Sequence, residues 1–172
     1  SDVTLAPLTR LRLDYRRDSR GATLEAGQAY FNVLPDDNRP FTLIAGERAI
    51  VADTSRFQVT LGGDAADIVV EEGVLSLRPR HPRDGVLARL SAGQQASADG
   101  SGVRIGVADV EAATAWRSGR LVVHDRPLRE VVAAFNRYSS DRLVLGDQMA
   151  GDVRISGSFR YDGSQEFAMA LA

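Results

Sequence analysis

The feature that most constrains this chain is its punctuation. Through about residue 113, short alternating or apolar runs are broken by Gly, Pro, Asn or Asp every ~8–12 positions, the spacing of an all-β unit. Leu11-Arg12-Leu13-Asp14-Tyr15 and Phe57-Gln58-Val59-Thr60-Leu61 alternate along their length. Residues 3–5, 20–24, 29–34, 41–45, 48–52, 67–71 and 74–77 read as further strands. Pro35-Asp36-Asp37-Asn38 and Asp99-Gly100-Ser101-Gly102 read as turns, and Gly62-Gly63-Asp64 as a hairpin. No window before Glu111 carries a helical period.

A loose internal repeat runs through this part. Leu24-Glu25-Ala26-Gly27-Gln28 resembles Leu90-Ser91-Ala92-Gly93-Gln94, with Glu71-Glu72-Gly73-Val74 a weaker copy. Glycine allows positive φ without a Cβ clash, so each copy predicts a turn before a new strand. The irregular separation predicts a solenoid-like stack of similar turns rather than a strict array.

Beyond residue 113 the period changes. Residues 109–118, around Trp116, read as a junction. Leu121-Val122-Val123 predicts a strand, and His124-Asp125-Arg126-Pro127 a helix entry with Asp125 as N-cap. Leu128, Val131, Val132, Phe135 and Tyr138 then form one apolar helical stripe. Leu143-Val144-Leu145 and residues 153–159 predict further strands, and Ser164 opens a second helix with Phe167, Ala168 and Leu171 on one face. The expected architecture is mainly β with a small α+β unit: a β-rich unit over 1–113, then a β-α-β unit over 114–172.

Composition removes several functions. The net charge is −2 and the arginines are scattered, which suits neither nucleic acid nor an anionic membrane. There is no cysteine, and His81 and His124 have no neighbours at ligand spacing, so no metal site or cofactor is expected. No apolar run is long enough to span a bilayer and no signal-peptide pattern is present. Walker, nucleophile-elbow and dinucleotide fingerprints are missing. Gly62–Asp67 lacks the oxygen ligands of a calcium loop. Asp36-Asp37, Glu47 and Glu71-Glu72 could form a glycosidase pair only if folding brought two together; as turn acids they read as solvated. No catalytic residues are therefore expected. A carbohydrate- or cell-wall-associated β-domain is the alternative to a protein-binding module, against an aromatic content of 6%.

Several phrases carry a resemblance. Leu24-Glu25-Ala26-Gly27-Gln28-Ala29-Tyr30-Phe31-Asn32-Val33 is followed by Arg39-Pro40-Phe41-Thr42-Leu43. Then come Thr54-Ser55-Arg56-Phe57-Gln58-Val59, Val70-Glu71-Glu72-Gly73-Val74 and Leu90-Ser91-Ala92-Gly93-Gln94. The last is Trp116-Arg117-Ser118-Gly119-Arg120-Leu121, with Pro127-Leu128 and Asn136-Arg137-Tyr138. In order and spacing these resemble the FecR family of transmembrane anti-sigma regulators. Gln28 stands where the family usually has Glu, and Asp53 with Ser55 blurs its Gly-Thr phrase. The resemblance implies the periplasmic region of a single-pass inner-membrane protein of a Gram-negative bacterium, cut from its transmembrane helix and cytoplasmic sigma-binding region. It implies a partner, the signalling domain of an outer-membrane TonB-dependent transducer of iron–siderophore uptake, and a signal relayed to an extracytoplasmic-function sigma factor. It also implies that the part from about Trp116 is similar to a secretin/TonB short N-terminal domain, truncated at its C-terminus.

A recognition module of this kind needs an exposed strand edge or contact spot rather than a reactive group. Arg154, Ser156 and Ser158 share one face of the expected strand 153–159, which is either an edge or a central strand. Arg137 and Tyr138 form a candidate contact spot, unless Tyr138 is core. Trp116 is read as an interdomain anchor, the alternative being a partner contact.

Overall fold

The computed structural model describes the chain except residues 37–38, 82–84, 148 and 171–172. Asp37 and Asn38 of the expected turn, Asp37 of the Asp36-Asp37 pair, and Leu171 therefore lie outside the described residues. The chain divides into two units, Ser1–Val110 and Glu111–Ala172.

The first unit is one nine-stranded sheet. Its strands are β1 (Asp2–Leu5), β2 (Arg10–Tyr15), β3 (Arg20–Val33), β4 (Phe41–Ala45), β5 (Arg48–Gly62), β6 (Ala65–Pro79), β7 (Ala88–Ser91), β8 (Gln94–Asp99) and β9 (Gly102–Val107). Three of them are long and change partners midway. The early part of β3 pairs with β2 and, in parallel, with β4; its later part pairs with β1 and β5. β5 pairs first with β4 and then with β3, while β6 runs beside it throughout. β6 meets β8 before its midpoint and β7 after it. The sheet thus has two halves sharing three bent strands, with β4 wedged between β3 and β5 in one half only.

The bends sit at the repeat glycines. Gly27 and Gly73 take φ of +89° and +86° inside β3 and β6, and Gly93, at +80°, lies in the turn between β7 and β8. Gly73 faces a register shift between Ala52 and Ser55 of β5. This corrects two expectations. Gly27 and Gly73 do not separate strands; they let one strand turn a corner while remaining in the sheet. Nor is the unit solenoid-like, because every described pairing except β3–β4 is antiparallel, whereas coils stacked in a solenoid pair in parallel.

Alternation decides what the halves bury. Leu24, Phe41, Leu43, Ile50, Leu75 and Leu77 of one half join Phe31, Phe57, Val59, Ile68 and Val70 of the other in a single core cluster. Phe31 stacks on its cross-strand neighbour Phe57 at 5.1 Å and reaches Phe41 at 5.8 Å. Each such side chain contributes ~1.5–3 kcal/mol of burial. Buried Arg20 fastens the connection that follows β3, donating to the carbonyls of Arg39 (2.7 Å) and Leu34 (3.0 Å). The Gly63-Asp64 hairpin forms as expected, with Gly63 at φ +62°.

The second unit runs α1 (Val110–Thr114, opening at the unit boundary), a 3-10 turn (Ala115–Ser118), β10 (Arg120–Pro127), α2 (Leu128–Tyr138), a second 3-10 turn (Met149–Asp152), β11 (Arg154–Arg160) and α3 (Ser164–Ala170). β10 and β11 form a two-stranded antiparallel sheet. The α2 stripe buries Leu128, Val131, Val132 and Phe135, as the spacing predicts. No described helix is long and apolar enough to cross a membrane.

Candidate functional site

Two local departures from expectation shape the second unit. Leu143-Val144-Leu145 does not form a strand. The Asn136 side chain takes both backbone groups of Leu143: its Nδ2 donates to the Leu143 carbonyl and its Oδ1 accepts from the Leu143 N–H, each at 2.8 Å. An amide in that position replaces a strand partner. The helix cap differs too. Pro127 occupies the N-cap with no side-chain cap, and Asp125 instead sits at φ +50° in a bulge of β10, between Val123 and Arg126.

That bulge is pinned by the expected site residues. Arg154 Nε donates to Asp125 Oδ1 at 2.7 Å and its Nη2 to the Asp125 carbonyl. The Asp125 N–H donates to Ser156 Oγ at 2.8 Å. Further along, Arg120 donates to Ser158 Oγ at 2.6 and 3.1 Å. The Arg154 hydrogen bond holds the Asp125 carboxyl below the usual carboxylate range and raises Arg154 in turn. Arg154, Ser156 and Ser158 are all exposed and share the face alternate to Ile155, Gly157 and Phe159. Among the described residues β11 pairs with β10 alone, so it is an edge strand.

Arg137 and Tyr138 lie elsewhere. Phe159 meets Phe167 edge-on at 4.8 Å, and Phe167 stacks on Phe135 at 5.1 Å, which puts α2 over the Phe159 face. The structure therefore groups Arg154, Ser156 and Ser158 on one side of the small sheet, with the α2 pair on the helical side. Arg137 is exposed and Tyr138 half-buried. The Tyr138 ring stacks on Tyr161 at 4.5 Å and lies 6.1 Å from Trp116. Burial pushes the Tyr138 hydroxyl up to about 12, and burial with the nearby Tyr138 raises Tyr161 as well. Tyr161 was not singled out by sequence; its position just after an alternating strand was the only signal. Trp116 is buried, which suits packing better than an exposed sugar platform. Ala168, expected on the buried face of α3, is exposed, while Phe167 is buried.

What this arrangement offers is backbone at a strand edge and a polar, hydrogen-bonding face. No group of His, Asp and Glu among the described residues could hold a metal ion. Comparison with the curated proteins returns no match. Two crystal structures of a candidate anti-sigma factor from Parabacteroides distasonis share the fold. They match at 22% identity over 98% of this chain and 80% of theirs, with TM-scores of 0.78 and 0.77. The family model described as FecR protein matches residues 1–76. Those residues hold the bent strands β3 and β5 and the corner at Gly73, and in them this chain is similar to the FecR family.

Proposed function

We propose that this chain is the periplasmic, signal-receiving region of an anti-sigma regulator, acting by binding a protein and not by catalysis. The observation that carries the reading is the FecR match over residues 1–76. The fold shared with a candidate anti-sigma factor supports it. On this reading the partner is the signalling domain of an outer-membrane TonB-dependent transducer. A sigma factor is reached through a cytoplasmic region across the inner membrane. The second unit, similar in its helix-on-sheet design to a secretin/TonB short N-terminal domain, receives the transducer. The β11 edge supplies backbone pairing, Arg154, Ser156 and Ser158 supply selectivity, and Arg137 with Tyr138 forms a second contact spot. Trp116 packs beside Tyr138 within the second unit and supports that contact spot.

Calorimetric titration with the signalling domain of a co-encoded transducer tests this. Micromolar or tighter binding is expected, weakened about tenfold or more by Arg137→Ala or by Ser156→Pro on the β11 edge. A folded protein that binds no such domain sinks the transducer reading. Binding that ignores both variants relocates the contact.

A further inference from the structure

The first unit carries an edge that the proposed transducer contact does not use. β2 pairs with β3 alone among the described strands, leaving its other side open. Its inward positions are apolar. Leu11, opposite Leu24, packs on the core, but Leu13 and Tyr15 stay 58% and 49% exposed. Leu5, the inward residue at the end of neighbouring β1, is 47% exposed. β1 and β2 both flank β3, so these side chains lie along one border of the bent sheet.

The outward positions of β2 are Arg10, Arg12 and Asp14, and Arg16 and Arg17 follow in the turn after it. Residues 10–17 hold four arginines and one aspartate in a chain of net charge −2. Arg12 meets Glu25 at 3.6 Å and Arg16 meets Asp14 at 3.1 Å, both pairs exposed. Arg10 and Arg17 have no acidic partner among the described residues. An edge that is apolar on one face and arginine-bearing on the other is complementary to an extended chain that alternates apolar and acidic residues. It is a poor fit to a second copy, since antiparallel pairing of β2 with itself would set arginine against arginine. The open strands of the other border, β7 and β9, lack this signature: β7 holds a single arginine, Arg89, and so does β9. The β9 arginine is Arg104, within 3.9 Å of Asp99.

We propose that β2 is a docking edge for an extended acidic–apolar peptide segment, which adds as a further strand, covers Leu13 and Tyr15, and places its carboxylates against Arg10 and Arg12. Backbone pairing supplies the affinity and the alternating side chains supply the selectivity.

The test is fluorescence anisotropy of the whole chain with a short labelled peptide of alternating valine and glutamate. Parallel titrations use the valine–lysine peptide. Saturable binding of the glutamate peptide is expected, at least tenfold tighter than the lysine peptide and weaker as salt is raised. Arg10→Glu with Arg12→Glu should reverse the preference. Leu13→Lys should weaken both peptides. All three side chains are exposed, so the variants keep the fold, which circular dichroism checks. No saturable binding, or binding indifferent to peptide charge and to the double variant, overturns the proposal. So does concentration-dependent dimerisation abolished by Leu13→Lys, which would make a second copy the occupant.

Discussion

Gly73 and Gly93 share a positive φ but not a surrounding. A Cβ on Gly73 would strike the Thr54 carbonyl and press on Ser55, whereas one on Gly93 meets open space. Gly93→Ala should therefore cost only the left-handed backbone term, about 1–2 kcal/mol. Gly73→Ala adds a backbone clash at the corner of β6 and should cost about 3 kcal/mol or more. Urea unfolding of the two variants checks this, and equal losses would mean that β6 relaxes around the new methyl. Both glycines stood out in the sequence as turn-formers. What the sequence lacked was the contact, because Thr54 comes 19 positions earlier and reaches Gly73 only through the β5–β6 register. The stacked tyrosines make a second residue-scale prediction. An unfolded tyrosine loses its proton near the ordinary value of 10.0, while folded Tyr138 holds on to about 12 and Tyr161 is raised too. Raised folded values leave stability intact below pH ~10 and remove it as pH climbs toward ~12, since only the unfolded chain then sheds protons freely. The unfolding midpoint of the second unit should fall across that window, and Tyr138→Phe with Tyr161→Phe should flatten the fall. An unchanged slope in the double variant would assign the alkaline loss to other groups.

At the scale of elements, local pattern and long-range pairing part company. The stripe from Leu128 to Phe135 is a local signal, and α2 follows it closely. β3, β5 and β6 were legible only in pieces, because a glycine or a polar pair that bends a strand looks, in sequence, like one that ends it. β8 was hidden for a different reason: Gln94-Gln95-Ala96-Ser97-Ala98 has little β-propensity and is held by β6 and β9 on either side. Leu143-Val144-Leu145 failed in the opposite direction, with strand composition but its backbone bonds taken by Asn136. The arginine–serine face of β11 was legible as an alternation, yet its lock on the Asp125 bulge depends on pairing that no local signal encodes. Phe135 is the element-scale test of the second unit. It is fully buried and touches both Tyr161 and Phe167, so Phe135→Ala should cost about 3–5 kcal/mol. Because the first unit has its own core, the loss should appear as early melting of the near-ultraviolet signal of Trp116, the only tryptophan, with the β-sheet signal retained. Simultaneous loss of both signals would show that the units fold as one.

The whole molecule is where the two proposed surfaces separate. One belongs to the second unit and centres on β11 and the end of α2; the other belongs to the first and follows β2. They use the same physics, an open strand edge with alternating side chains, but opposite chemistry. The β11 face is balanced, its Arg154 already committed to Asp125, whereas β2 carries unmatched positive charge. Steering by charge should therefore matter for one partner and little for the other. The expected result is a double dissociation. Arg137→Glu should weaken the transducer signalling domain about tenfold or more and leave the valine–glutamate peptide untouched, while Arg10→Glu with Arg12→Glu does the reverse. Raising salt from low to physiological strength should lower peptide affinity far more than transducer affinity. Titrating each ligand in the presence of the other then asks whether the unit boundary near Val110 carries any coupling. Independent sites give the same affinity either way, whereas a relay through the junction changes both affinities by the same factor, as linkage requires. If one variant damages both partners equally, a single surface serves both, and the assignment of β2 to a partner of its own fails.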